Sequence, residues 1–258
     1  MNSEIIHLHW VADFLNYFDF FKNNNKPIVW TLHDMNPFTG GEHYNEVYCG
    51  IDENGNPVKR IYTKEEIDVF KNVMAMKMKA LENVESLHLV VLCNWMANEV
   101  KKSKLFRQFP VTIIPNGFDT NIFKPQNKQF SRDLLGIPAG KIVLLFVADF
   151  VDKYRKGYEY LLCALKLINR NDIILCSVGQ KSNGLVKSNS HFELGVIQNE
   201  RFLSVIYSAA NVFIIPSIID NLPNTVIESL LCGTPVVGFP VGGLTDIIQE
   251  WRKWLFGF

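Results

Sequence analysis

Short apolar runs alternate along the chain with longer stretches in which apolar residues recur every three or four positions. The runs at 4–8, 28–33, 88–93 and 111–115, and again at 142–148, 173–179, 212–216 and 235–238, predict strands. The stretches at 10–22, 64–81, 95–104, 158–168, 200–209 and 225–232 predict helices. Short Val/Ile/Leu-rich strands separated by helices are the mark of parallel sheets covered on both faces. The expected fold class is therefore α/β, of the doubly wound kind. A polar stretch at 125–140, with Pro125, Pro138, Gly136 and Gly140, predicts a linker between a first unit at about 1–124 and a second at about 141–258. The segment 38–57 is rich in Gly, Asn and other polar residues and predicts a long loop of the kind that often carries function.

Composition narrows the classes. With 258 residues, 48% of them hydrophobic, the chain can bury a sizeable core. Lys+Arg and Asp+Glu both number 26, so the net charge is zero and no nucleic-acid partner is expected. Cys49, Cys93, Cys163, Cys176 and Cys232 are odd in number, widely spaced and contain no C-x-x-C. That argues against a disulfide scaffold or zinc ribbon, and for a reducing compartment. The amino end has no basic segment leading into a long apolar one, and no apolar run reaches the roughly 18–20 residues that span a bilayer. The expected location is cytoplasmic, with peripheral contact at the inner face of a membrane left open. No G-x-G-x-x-G follows a strand, and no P-loop, G-x-S-x-G or H-E-x-x-H motif is present. These absences argue against a dehydrogenase, a P-loop NTPase, an α/β-hydrolase and a zinc protease.

The most informative stretch runs from Pro216 to Val237. A strand ends at Pro216, a polar loop follows, a helix starts near Asn224 or Thr225, and Gly233 ends it. Free N–H groups at such a helix start, at the carboxyl end of a parallel sheet, form an anion site suited to a diphosphate. Asp220 and Glu228 flank it, and a carboxylate is a good acceptor for neighbouring sugar hydroxyls. The spacing Thr225-Val-Ile-Glu228 also fits a capping box, and Asp220 also fits a turn start, so the structural and ligand-binding readings both stand at this level.

The same stretch resembles the E-x7-E signature of retaining glycosyltransferase family 4, with Asp220 in place of the commoner first Glu and Gly233-Thr-Pro-Val-Val closing it. Ile114-Pro-Asn-Gly117-Phe-Asp119-Thr-Asn-Ile-Phe123 is similar to the family's Pro-Asn-Gly-x-Asp-x-x-x-Phe segment. Arg155-Lys156-Gly157 stands where the family places cations for the donor diphosphate. Trp30-Thr-Leu-His33-Asp34 ends a strand where the family has a His facing the donor sugar. The resemblance covers about 5–248.

The resemblance implies the GT-B fold: two facing Rossmann-like domains with parallel sheets, both expected to be incomplete, with the second holding the donor. It implies a retaining, hexosyltransferase-type enzyme that moves a sugar from a nucleotide-sugar to an acceptor hydroxyl, with no metal and no cofactor beyond a UDP- or GDP-linked co-substrate. Asp220 and His33 would orient the donor sugar. Arg155 and Lys156 would meet the diphosphate, the backbone of Asn221, Leu222 and Asn224 the sugar and phosphate, and Glu228 the ribose. The acceptor would be a saccharide or lipid-linked molecule, as in polysaccharide biosynthesis. Independently of the resemblance, His7 and His9 flank Leu8 at another strand end with Trp10 beside them, and either line the acceptor side or include one structural histidine. A catalytically inactive, truncated nucleotide-sugar-binding remnant is the alternative. The aromatic stretch 250–258 departs from the family pattern and suggests a truncated or frame-shifted end.

Overall fold

The computed structural model describes residues 4–12, 14–168, 170–180 and 190–248; the expectation for 250–258 lies outside them. In chain order the elements are β1 (Ile6–Leu8), α1 (Tyr17–Asn23), β2 (Ile28–Leu32), β3 (Tyr48–Ile51), β4 (Pro57–Lys59), α2 (Lys64–Leu81), β5 (Leu87–Val91), α3 (Asn94–Lys102) and β6 (Val111–Ile113). There follow α4 (Lys128–Leu134), β7 (Ile142–Phe150), α5 (Tyr158–Leu167), β8 (Ile173–Gln180), β9 (His191–Glu193), α6 (Glu200–Ala209), β10 (Val212–Ile215), α7 (Asn224–Leu231), β11 (Val236–Gly238) and α8 (Leu244–Ile247). Single 3-10 turns cover Asn36–Phe38 and Tyr154–Lys156.

Two parallel sheets result. The first is four-stranded in the order β1-β2-β5-β6, and the second five-stranded in the order β11-β10-β7-β8-β9. Apolar side chains on both faces explain the continuous Val/Ile/Leu runs: Trp30, Leu32 and Leu89 are fully buried in the first core, Leu145, Ile174 and Phe213 in the second. In the second sheet the chain leaves β7 toward β8 and β9, then returns on the other side as β10. The gap between β7 and β10 is therefore a topological switch point, where the connecting loops diverge and leave a crevice.

Local differences from the sequence pattern have local causes. The first helix begins at Tyr17 rather than at 10, because Asn16 takes the N-cap position and its side chain accepts from Asp19 N. The expected linker carries α4, capped by Asn127; Arg132 ties it to the end of α6 through Ala209 O (3.0 Å) and to Asn211 (2.6 Å). Half of the long loop folds as the β3–β4 hairpin, its turn organised by Asp52, whose carboxylate accepts from Asn54 N and Asn56 N.

The carboxyl ends of the two sheets meet. The loop after β10 reaches β2, and Leu222 is buried in the first unit's core rather than its own. α8 packs on α3, where the Asp246 carboxylate accepts from Asn94 N. Burying one leucine contributes about 2 kcal/mol, so the contact between units has an apolar as well as a polar part.

Candidate functional site

Two loops bracket the switch point, one after β7 and one after β10. Gly157 lets them close: its φ is +73°, and a Cβ there would lie 1.8 Å from Pro216 O. Ile218 N then donates to Arg155 O at 2.9 Å. This backbone contact sets Arg155 and Lys156 directly beside Asp220.

Asp220 is only 6% exposed. Lys156 Nζ donates to its Oδ2 at 2.7 Å, and Arg155 Nη1 lies 3.5 Å from Oδ1. Ser217 Oγ and Asn221 N also donate to the carboxylate, at 3.4 and 3.2 Å. A buried carboxylate needs such company, since an unpaired one is strongly disfavoured. Arg155 is less fully used. Its Nη1 is buried without a hydrogen-bond partner among the described residues, and its guanidinium lies 4.9 Å from the centre of the Tyr44 ring. Tyr44 Oη completes the group with a long contact, 3.5 Å, to Asp220 Oδ1. Burial and the Asp220 charge push the Tyr44 phenol upward, so it stays a neutral donor.

α7 begins at Asn224 with Pro223 as its N-cap and no side-chain cap, so its first N–H groups are open to a ligand. Asn116, from the Pro-Asn-Gly turn, donates to Asn224 Oδ1 at 2.9 Å. Because the N-cap is Pro223 and not Thr225, Glu228 lies too far along the helix to close a capping box. Its carboxylate instead accepts from Tyr207 Oη at 2.9 Å. Burial raises the Glu228 pKa, and the Tyr207 bond opposes that rise.

Across the contact, Asn221 is 2% exposed and its side chain is fully engaged. Nδ2 donates to His33 O at 3.0 Å and to Leu32 O at 3.4 Å, while Oδ1 accepts from Cys93 Sγ at 3.2 Å. Asn221 and Leu222 thus join the units through their side chains and leave only backbone for a ligand. His33 is half-buried, with Nε2 3.0 Å from His9 Nδ1; burial, then the neighbouring His9, lower its pKa. The arrangement brings Arg155, Lys156 and Asp220 into one cluster, with His33 held next to it through Asn221.

Tyr44, Ser217 and Tyr207 were not singled out by the sequence reading. Tyr44 lies in the Gly-rich loop that was flagged, but its partner is 176 positions away. Among the described residues no group of His, Cys, Asp and Glu side chains is arranged to hold a metal ion. Two cavities, of about 420 and 230 Å³, lie on the first unit between α2 and the chain after α3, and at the amino ends of β2 and β5. Neither is lined by a residue of the cluster, so we place the site by chemistry and topology rather than by cavity size.

A sequence model of the family "Glycosyl transferases group 1" matches residues 141–256. That segment is thus similar to the group 1 glycosyl transferases. An uncharacterized glycosyltransferase of Methanocaldococcus jannaschii is 28% identical over 187 residues, 67% of this chain and 47% of its own length. A D-inositol 3-phosphate glycosyltransferase of Thermobispora bispora is 30% identical over 157 residues, 54% of this chain and 37% of its own. The chain thus spans about half or less of the curated relatives it matches.

Among solved structures, sucrose-phosphate synthase from Thermosynechococcus elongatus superposes with a TM-score of 0.66 at 20% identity, covering 95% of this chain and 58% of that one. The Anabaena protein HepE, in complex with UDP, gives 0.59 at 19% identity, with 86% and 56% covered. These likenesses show the fold, the GT-B arrangement of two facing parallel α/β sheets, and the group 1 segment is its second half. Among the described residues no helix is long and apolar enough to cross a membrane.

Proposed function

We propose that this chain transfers a glycosyl unit from a nucleotide-sugar donor to an acceptor hydroxyl. The unit at about 141–258 holds the donor and the unit at about 1–124 the acceptor. The observation that carries this reading is the cluster at the switch point: Lys156 and Arg155 beside Asp220, next to the uncapped start of α7. A departing nucleoside diphosphate gains negative charge in the transition state, and fixed cations together with helix N–H groups stabilise it there. Arg155 Nη1 has no hydrogen bond to give up, so a shift of the side chain that uncovers it lets it bond a phosphate oxygen. Glu228 accepts the ribose hydroxyls, and Asp220 and His33 orient the sugar. Anomeric configuration is retained and no divalent metal is required: the departing phosphate oxygen assists deprotonation of the incoming hydroxyl. The complexes of HepE with UDP and with UDP-glucose make UDP the first donor nucleotide to test, with GDP second.

One observation favours a second reading, binding without turnover. Asp220 already neutralises both cations, so less net positive charge is left to stabilise the departing diphosphate.

Calorimetric titration with UDP and GDP tests the site. The wild-type chain is expected to bind one of them, and Glu228→Ala to bind it at least about tenfold more weakly, the loss of charge-assisted hydrogen bonds. If neither nucleotide binds, the donor reading is wrong. Release of UDP or GDP from labelled nucleotide-sugars then separates turnover from binding alone.

A further inference from the structure

Trp10 follows β1 and is 49% exposed, yet its ring is held in place. Its Nε1 donates to Asp34 Oδ2 at 3.1 Å. The His43 imidazole lies parallel to it, at an interplanar angle of 11° and a centroid distance of 6.0 Å. His43 Nδ1 is in turn 2.7 Å from the same Asp34 oxygen, and Asp34 Oδ1 accepts from Asn36 N at 2.9 Å. Asp34 is buried, so an interior carboxylate anchors a surface ring. Fixing an exposed indole costs side-chain entropy while leaving apolar area in water. That cost is offset when a ligand lies on the ring.

The neighbours indicate what kind of ligand. His7 and His9 are exposed, with ring centroids 4.2 Å apart; His7 Nε2 is 2.9 Å from Thr31 Oγ1, and His9 Nδ1 is 3.0 Å from His33 Nε2. His9 and His33 directly precede Trp10 and Asp34 in the chain, so imidazoles that exchange hydrogen bonds stand one residue from the indole and from its anchor. The Asp34 charge behind the indole disfavours an anion. A ring with an apolar C–H face and hydroxyls at its rim, a pyranose, matches both features. The platform is also tied to the cation cluster. Tyr44, the residue after His43, packs its ring on Arg155 and reaches Asp220, and Asn221 holds the His33 carbonyl.

We propose that Trp10, held by Asp34 and His43, is the stacking platform for a sugar ring of the acceptor, whose hydroxyls are read by His7 and His9. The acceptor is then a saccharide at its reacting end. Binding at the platform stands on these contacts; its use as an acceptor site rests on the transfer reading above.

Saturation-transfer NMR with methyl β-D-glucopyranoside and methyl α-D-mannopyranoside as probes tests the platform. In the wild-type chain, transfer to at least one glycoside is expected to concentrate on the ring C–H protons. It should fall roughly fivefold in Trp10→Ala and be largely kept in Trp10→Phe, which preserves the aromatic face. Equal transfer in wild type and Trp10→Ala overturns the proposal, as does a Trp10→Phe loss as large as that of alanine, or no transfer to either glycoside. UDP titration of the same variants should match wild type. Glycoside transfer with no UDP binding would sink the donor reading and leave the platform standing; UDP binding with no transfer would do the reverse.

Discussion

The two sheet ends that face each other carry opposite kinds of chemistry. At the second, Arg155, Lys156 and Asp220 form a buried cluster of formal charges, placed by a close backbone contact at Gly157. At the first, His7, His9 and His33 form a row of rings, Trp10 stacks on His43, and the carboxylate, Asp34, anchors the indole. A charge cluster in a buried setting is coupled to folding, because each member is unstable without the others. Rings that lie largely at the surface are coupled to it less. Changes at the second end should therefore disturb stability and ligand binding together, and changes at the first mainly ligand binding.

The sharpest test of that contrast is Lys156→Ala. It leaves Asp220 buried with only the more distant Arg155 as cation, and is expected to cost about 3 kcal/mol in urea unfolding. UDP affinity should fall about tenfold to a hundredfold. Adding Asp220→Asn to Lys156→Ala should recover most of the stability, since the lone charge is gone, but not the affinity. If the double variant regains UDP binding, Lys156 is only a partner for Asp220 and the donor role assigned to it is wrong. Trp10→Ala, by comparison, leaves Asp34 with His43 and Asn36 N as partners and should cost only about 1 kcal/mol.

A smaller effect is expected where the two ends touch. Asn221→Ala strips hydrogen bonds from the buried carbonyls of Leu32 and His33 and from the Cys93 thiol. The cost should be about 2 kcal/mol. Because the lost bonds run between units, urea unfolding followed by fluorescence and by circular dichroism should separate into two transitions. Coincident transitions in the variant would mean that Leu222 and the α3–α8 packing hold the units together without it.

Much of this architecture could be read along the chain. The bounds expected for α2 and α6 coincide with those observed, since each opens on a side-chain cap, Thr63 and Asn199, before a long amphipathic run. All strands of the two parallel sheets except β9 were visible because parallel, doubly covered strands are continuously apolar. The missed elements had weaker local signals. α4 is short and polar and is stabilised by Arg132 reaching the end of α6; β9 is three residues, His191–Glu193, added to a sheet edge. The site divides in the same way. The loop–helix setting around Asp220 and Glu228 is local, and so was legible. The capping alternative for Glu228 was settled by two residues of helix phase, Pro223 rather than Thr225 taking the N-cap, which spacing does not specify. That Asn221 and Leu222 direct their side chains into the other unit, and that Tyr44 lies under Arg155, depends on how the sheets face each other. No periodicity encodes that.

The finest distinction between the two ends is in their response to pH. Burial lowers the pKa of His33 and raises that of Glu228. For His33 the unfolded chain takes up a proton first. Its contribution to stability is therefore complete above the ordinary histidine value of about 6.5 and lost as pH falls below it. For Glu228 the unfolded chain ionises first. Its contribution is complete below the ordinary glutamate value of about 4.3 and lost as pH rises through the higher folded value. The Tyr207 hydrogen bond limits that loss by favouring the carboxylate. Tyr207→Phe should then raise the Glu228 pKa further and cost about 1 kcal/mol at pH 7, a difference from wild type that narrows on acidification. It should also shift the acid limb of UDP binding to higher pH, because a protonated Glu228 offers fewer acceptor sites to the ribose hydroxyls. Glu228→Gln has no proton to lose at that position. Its UDP binding should be weaker and lack that limb; a limb that persists in Glu228→Gln would assign the titration to another group, with His33 the first to examine.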